Sequence, residues 1–234
     1  MKKFITRAAA LVGCSQWRGP LVEQARRSDV LDIPRVVSLV QAAKAWEDTL
    51  CPVEAVPLRY EMATLINCAN ENKAKKAWWF LVWCFGFSLR KQRERIEEWH
   101  LPESRRYFDS DEWWLGLSEN RWADKNYRGG YYLIDFYQRF CGMTWQAQEG
   151  AIRKLGSVRR APEAMVAEAA ITLHRTGRGH FLRDWYHWGS FLDSSKRRIY
   201  IGNLDIAKGL YIGGGEPCKP GPNLCAVIVR EWDF

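Results

Sequence analysis

Apolar residues recur at helical spacing through the first hundred residues of the chain. In the stretch 33–50 they stand three positions apart, at Val37, Val40, Ala43 and Trp46. Residues 56–70 repeat the pattern. Side chains spaced by three and four positions share one face of an α-helix, so both stretches are predicted to be amphipathic helices.

A longer helix is predicted from Lys73 to Trp99. Its first half is the apolar run AWWFLVWCFGFSL, residues 77–89, and its second half is dense in charge. A helix of this apolar length spans about 20 Å, whereas the hydrocarbon core of a membrane is about 30 Å thick. We therefore expect a core helix here and no membrane span, with a helix that docks on a partner protein as the alternative.

The character of the chain changes in residues 101–130, where glycine and proline interrupt a segment rich in aromatic side chains. Helical patterning returns at 133–140, 145–155 and 162–176. Three runs rich in β-branched and aromatic residues then follow, at 197–204, 209–214 and 223–232. The glycine- and proline-rich residues 213–222 have the composition of a loop between the last two strands.

These patterns predict an α+β fold: a mainly helical body with a small C-terminal antiparallel β-sheet. The predicted organisation is a helical N-terminal region 1–100, an aromatic connecting segment 101–130 and a basic α+β C-terminal region 131–234. The three can also form one continuous domain.

Charge is unevenly distributed along the chain. The formal net charge is +8, and residues 151–208 alone contain 11 Lys or Arg against 5 Asp or Glu, a net charge of +6. A local excess of positive charge attracts polyanions. The alternative is a solvated face without an anionic partner.

The cysteines and the N-terminal sequence are evidence about the cellular compartment of the protein. Seven scattered cysteines, mostly among apolar residues, are typical of reduced, buried thiols in a cytoplasmic protein. Residues 1–14, which end in Leu-Val-Gly-Cys at Cys14, resemble a bacterial lipoprotein signal. Because Arg7 interrupts the apolar region that such a signal requires, the prediction is an N-terminal amphipathic helix.

The most unusual stretch is LHRTGRGHFLRDWYHWGSF, residues 173–191, in which arginines and histidines alternate with aromatic residues. Arginine binds phosphate bidentately, and flat aromatic rings stack on unpaired bases. Residues 139–160 also have the spacing of a helix-turn-helix motif followed by basic residues. The predicted nucleic-acid-binding residues are Arg153, Lys154, Arg159, Arg160, Arg175, Arg178, Arg183, Trp185, Tyr186, Lys196, Arg197, Arg198 and Tyr200.

The run IYIGNL, residues 199–204, resembles the first strand of an RNA-recognition motif. The basic and aromatic signature of that motif's third strand is absent from residues 205–234. The prediction here is therefore a structural strand, on which an exposed Tyr200 stacks a base.

A metal site is the alternative interpretation of the histidine-rich stretch. If residues 180–187 form a helix, His180, Asp184 and His187 lie at i, i+4 and i+7 on one face, where they can hold a divalent metal that activates water. Cys218 and Cys225 can add thiolates, although their spacing is wider than in structural zinc sites.

The sequence thus predicts a cytoplasmic, non-enzymatic nucleic-acid-binding subunit of a nucleoprotein complex, with RNA and DNA not distinguished. Protein partners are also expected because the chain has 13 tryptophans, and aromatic residues anchor interfaces. No cofactor is predicted. The two alternatives are a metal-dependent hydrolase or nuclease, and an interaction module that docks through the apolar helix at 77–89.

Overall fold

The computed structural model describes residues 36–37, 39–46, 60–98, 107–108, 113–116, 121–205 and 209–230. The predicted N-terminal amphipathic helix and the alternative lipoprotein signal at Cys14 both lie outside these residues. Within them, no helix combines the length and apolar character needed to cross a membrane.

In the part of the chain that the structure describes, eight strands form one mixed sheet. They are β1 Val36–Val37, β2 Trp79–Cys84, β3 Gly130–Arg139, β4 Val158–Arg160, β5 Tyr186–Leu192, β6 Arg198–Asp205, β7 Gly209–Gly215 and β8 Leu224–Arg230. The spatial order is β1-β2-β3-β8-β5-β6-β7, and β4 also pairs with β8. The β1–β2 and β5–β8 pairs are parallel and the other pairs are antiparallel.

Five helices accompany the sheet in the described part of the chain, together with one α-helical turn at Trp113–Gly116 and a 3-10 turn at Arg121–Asp124. They are α1 Leu39–Ala45, α2 Met62–Lys73, α3 Leu89–Glu98, α4 Trp145–Arg153 and α5 Glu163–Arg175. Every residue of α5 from Glu163 to Leu173 is buried. This helix packs against β2, β5 and β6 and forms the centre of the core.

The prediction of a mainly helical body with a small C-terminal sheet is wrong, because an eight-stranded mixed sheet extends through much of the chain. The apolar segment predicted to be a core helix is β2, and residues 133–140, also predicted to be helical, belong largely to β3. All six residues of β2 are buried. A strand covered on both faces shows no alternation, so its apolar run has the same composition as a buried helix.

Several local predictions are confirmed. The strands β6, β7 and β8 largely coincide with the runs at 197–204, 209–214 and 223–232, and β6 and β7 each extend one residue further. The predicted loop at 213–222 is shorter than expected, because residues 213–215 belong to β7 and the turns lie in residues 216–223. Helices α2, α4 and α5 lie within or overlap predicted helical stretches, and α3 is the charged half of the predicted long helix. These segments have either a clear helical period or a strong β composition, so local sequence determined them.

The expectation that the cysteines are reduced is wrong for one pair. Cys141, in the turn after β3, forms a disulfide with Cys225 in β8, across a sequence separation of 84 residues. Among the described cysteines, Cys68 and Cys84 are free and buried, and Cys218 is free and exposed. Residues widely separated in sequence meet here because β8 inserts beside β3, which cysteine spacing does not reveal.

Candidate nucleic-acid interface

One face of the β5–β6–β7 part of the sheet carries three half-buried tyrosines, Tyr186, Tyr200 and Tyr211. Cross-strand pairing places glycine opposite each of them, and on the β5 side Tyr200 also pairs with the buried Trp188. Gly202 of β6 lies between Tyr186 and Tyr211, and Tyr200 lies opposite Gly213 of β7. We call this surface the tyrosine face.

The other face of the same strands belongs to the core. Ile199, Ile201 and Ile212 alternate with the tyrosines along β6 and β7 and are almost fully buried. Helix α5 packs against β5 and β6. Because successive side chains of a strand point to opposite sides, burial of the isoleucines under α5 leaves the tyrosines on the outer surface.

Tyr200 lies flat across the neighbouring strand. A Cβ atom built on Gly213 would stand 2.5 Å from Cζ of Tyr200, and one on Gly215 would stand 3.4 Å from its Cε1. The ring therefore covers glycine backbone on one side. Tyr186 stands edge-on to it at 5.2 Å between ring centroids, and Tyr211 lies 6.1 Å away at an interplanar angle of 32°.

Burial, reinforced by the nearby Tyr211, raises the pKa of Tyr200 to about 12. Burial likewise raises the pKa of Tyr186. Both phenols therefore stay neutral at physiological pH and keep a hydroxyl that donates a hydrogen bond. Neutral rings with polar tips can stack on bases and hydrogen-bond to base edges or phosphate.

A polar cluster lies at one end of the tyrosine face. The pairing of β5 with β6 is irregular between Trp188 and Leu192, and side chains bind the backbone there. Trp145 Nε1 donates to Gly189 O at 2.8 Å. Arg198, which lies opposite Gly215, donates to Ser190 O and places its guanidinium carbon 3.8 Å from the centroid of the Trp145 ring.

Arg160 and Glu163 complete this cluster from beneath. Arg160 Nε donates to Glu149 at 2.6 Å, and its Nη1 donates to Trp188 O. Glu163 accepts from the Phe191 N–H at 2.7 Å. The charges of Arg160 and Arg198 thus face two carboxylates, so the cluster itself adds little net attraction for phosphate.

The predicted nucleic-acid-binding residues divide into three sets by their position and exposure. Tyr186 and Tyr200 share the tyrosine face, with Arg198 at its end and the exposed Lys196 and Arg197 in the turn just before it. The remaining exposed basic residues lie outside these strands, at Arg153, Lys154, Arg159 and Arg183. The half-buried or buried ones are Arg160, Arg175, Arg178 and Trp185.

Two of these residues have structural roles that compete with binding. Trp185 is buried in the core, so its ring is not available for stacking. Arg197 donates to Asp193 at 2.8 Å and lies 5.8 Å from the ring centroid of Trp113. The helix-turn-helix arrangement is not formed, because the strand β4 follows α4.

The predicted metal ligands are distributed differently from the expected helical face. Residues 181–184 form turns and bends, and Tyr186 begins a strand, so His180, Asp184 and His187 share no helix. His187 is fully buried, its Nδ1 accepts from Val227 N at 3.0 Å, and its Nε2 lies 2.9 Å from Ala161 O.

Burial, with Arg160 nearby, lowers the pKa of His187 to about 3. His180 is exposed and lies beside His174, with 4.5 Å between ring centroids. Cys225 belongs to the disulfide and Cys218 is exposed. Within the residues that the structure describes, no group of three His, Cys, Asp or Glu side chains could hold a metal ion.

Sequence reasoning missed two members of the surface, Tyr211 and Trp145. The run GLYIGGG of β7 has the same aromatic–aliphatic–glycine order as RIYIGNL of β6. Pairing these two runs would have placed Tyr211 beside Tyr200. Trp145 had no such signal, because its position depends on α4 packing against β4 and on its hydrogen bond to Gly189 O in β5.

Comparisons with protein-family models, with curated proteins and with solved structures give no match to this chain.

Proposed function

We propose that the protein binds single-stranded nucleic acid through the tyrosine face, as a non-enzymatic subunit of a nucleoprotein complex. The observation that carries the proposal is the ring of Tyr200 lying flat over Gly213, with the rings of Tyr186 and Tyr211 beside it. A flat ring supported from below offers its other side to a base. Every base has a flat face, so this mode accepts many sequences and either RNA or DNA.

Phosphate contacts come from the basic residues at the end of the face. Lys196 is exposed, and Arg198 is fixed by Ser190 O and Trp145. Each phosphate neutralised on a single strand contributes about −0.7 to the slope of log K against log salt. Since the nearby arginines are largely balanced by carboxylates, we expect a shallow salt slope, from about two contacts, and binding dominated by stacking.

The test is fluorescence anisotropy of a labelled single-stranded oligonucleotide about 12 nucleotides long, within the usual site size. Stacking on one aromatic ring is worth about 1–3 kcal/mol, so Tyr200→Ala should raise Kd by about 5- to 150-fold. Tyr137→Ala is the matched control, because Tyr137 is equally a strand tyrosine but belongs to β3. Its Kd should stay at the wild-type value.

Two outcomes would overturn the proposal. One is the absence of measurable binding by the wild-type protein at low salt. The other is an equal loss of affinity in the Tyr200 and Tyr137 variants, since this would place the contact away from the tyrosine face. A duplex competitor of the same sequence should displace the labelled strand poorly, because its bases are already stacked.

We also propose the cytoplasm as the compartment, on the scattered cysteines of the sequence. The Cys141–Cys225 disulfide is the observation that opposes it. The test is to lyse cells directly into an alkylating reagent and to measure by mass spectrometry whether Cys141 and Cys225 are alkylated. Alkylated Cys141 and Cys225 support the cytoplasm, and an intact disulfide supports an oxidising compartment.

A further inference from the structure

A second aromatic surface lies between the segment before β2 and the strand β3. Trp78 is 37% exposed and Tyr137 is 36% exposed. Trp78 is the only exposed tryptophan in the described part of the chain, and Tyr137 is the only exposed one of the nine tyrosines, all of which are described. Their rings touch at 5.6 Å between centroids. We call this pair the Trp78–Tyr137 corner.

The corner is held rigidly by a buried carboxylate. Asp135 Oδ1 accepts from the backbone N–H of Trp78 at 2.6 Å and from that of Tyr137 at 2.9 Å. Its Oδ2 accepts from Arg139 Nε at 2.6 Å. One buried side chain thus fixes the backbone of both aromatic residues. An exposed apolar pair that is fixed in advance loses little entropy when a partner binds.

The geometry of the corner fits a protein side chain better than a base. The two rings are nearly perpendicular, with an interplanar angle of 85°. Arg139 places its guanidinium carbon 5.7 Å from the Tyr137 ring centroid. Perpendicular rings form a concave corner rather than the flat platform that Tyr200 provides. Trp, Tyr and Arg are also the residue types that dominate binding energy at protein interfaces.

The charge around the corner indicates the chemistry of the partner. Lys75 and Lys76, in the turn that leads to Trp78, are exposed. No salt bridge joins either of them to a carboxylate among the described residues. Two carboxylates of this region already have other partners: Asp135 pairs with Arg139, and Glu71 accepts from the Trp79 indole at 2.6 Å. The rim of the corner is therefore positive and complements an acidic surface.

We propose that the Trp78–Tyr137 corner is a docking site for an acidic segment of a partner protein, which inserts an apolar side chain against the two rings. Lys75 and Lys76 steer and hold the flanking carboxylates. This site is separate from the tyrosine face and does not depend on nucleic-acid binding. It also differs from docking through an apolar helix at 77–89, because residues 79–84 are a buried strand.

The test uses a synthetic peptide in which one phenylalanine stands between runs of Asp and Glu. Tryptophan is labelled as 5-fluorotryptophan, and the Trp78 resonance is assigned as the 19F signal lost in Trp78→Phe. We expect the peptide to shift this resonance saturably. The double variant Lys75→Glu, Lys76→Glu should weaken the interaction at least about tenfold, which corresponds to about 1.4 kcal/mol.

Four controls make the result decisive. The double variant Lys44→Glu, Lys125→Glu makes the same charge change at two exposed lysines elsewhere, and it should bind as the wild type does. A peptide with serine in place of phenylalanine, and a peptide with Lys and Arg flanks, should leave the Trp78 signal unmoved. A Tyr137→Ser variant with an unchanged Tm should lose the shift.

Each alternative outcome would overturn the proposal. No shift of the Trp78 resonance at millimolar peptide removes the docking site. An equal shift with the serine peptide reduces the surface to nonspecific charge attraction. A tighter, saturable shift with a single-stranded oligonucleotide would reassign the corner to nucleic acid.

Discussion

Replacing Glu168 with Gln should remove a pH dependence that this carboxyl imposes on stability. Glu168 lies in the middle of α5 and is fully buried. Its Oε1 accepts from Phe85 N, and its Oε2 accepts from Phe87 N at 3.0 Å and from the Tyr127 hydroxyl at 2.7 Å. Burial nevertheless outweighs these hydrogen bonds and raises the pKa of Glu168 from 4.5 to about 7.

The sign of the effect follows from where the proton is bound. Between pH 4.5 and about 7 the folded protein holds a proton on Glu168 that the unfolded chain has released. The stability that this contributes is complete below pH 4.5 and is lost as the pH rises to about 7. At about 1.4 kcal/mol for each unit of pKa, the loss is about 3 kcal/mol.

His187 changes the free energy of unfolding with pH in the opposite direction, so in the wild-type protein it masks the pH dependence due to Glu168. Its pKa is lowered from 6.5 to about 3, so the stability that it contributes is present above pH 6.5 and is lost as the pH falls towards 3. The two slopes oppose each other between pH 4.5 and 6.5. Because the Gln variant keeps His187, subtracting the two stability curves isolates Glu168.

The assay is urea unfolding followed by tryptophan fluorescence, at several pH values from 4 to 8. The difference in free energy of unfolding, wild type minus Glu168→Gln, should fall by about 3 kcal/mol between pH 4.5 and about 7 and stay constant above that. Glu97→Gln is the control, because Glu97 is an exposed residue of α3. A difference that does not change with pH would refute the reasoning. It would show that the three donors, rather than burial, set the pKa of Glu168.

Three further predictions concern other parts of the fold. Cys141→Ser, or reduction of the Cys141–Cys225 bond, should lower the free energy of unfolding by about 2–5 kcal/mol in guanidinium titrations, whereas Cys218→Ser should leave it unchanged. Asp135→Ala should cost about 3–5 kcal/mol in the same assay, because it leaves an arginine and two backbone N–H groups without their acceptor; a loss below about 1 kcal/mol would contradict the described hydrogen bonds. Gly213→Ala should weaken oligonucleotide binding in the anisotropy assay, because a Cβ there would stand 2.5 Å from the tyrosine ring above it. Unchanged affinity would mean that this ring is not the contact.

How far the sequence predicts this structure depends on how each segment is buried. The strands β6 and β7 were predictable because Tyr200 and Tyr211 stand in short runs bounded by glycine. The strand β2 was not, because it is buried on both faces and shows no alternation. The strand β3 was also mistaken for a helix, because its polar residues do not alternate with apolar ones. One of them, Asp135, is buried, and Arg139 and two backbone N–H groups donate hydrogen bonds to its carboxylate.

The candidate surface was predictable only in part, for a related reason. The arginines of residues 173–191 indicated polyanion binding, yet local sequence could not separate exposed residues from buried ones. Arg160 and Trp185 are buried by elements distant in sequence, whereas Lys196 is exposed and Tyr186 is only half-buried. Partner strands decide which side of β5 faces outward. The sequence therefore indicated which residue types form the surface, whereas the order of strands in the sheet determines which of those residues are exposed on it.

The position of β8 has a consequence for how the protein is made. This strand follows the other seven described strands along the chain, yet it lies between β3 and β5 and also pairs with β4. While the ribosome is still adding residues before 224, the edges of β3 and β5 that β8 will cover remain open. Such edges pair readily with other chains. The nascent chain therefore completes its sheet only when β8 emerges, and a translational pause just before that strand would prolong its exposure to aggregation.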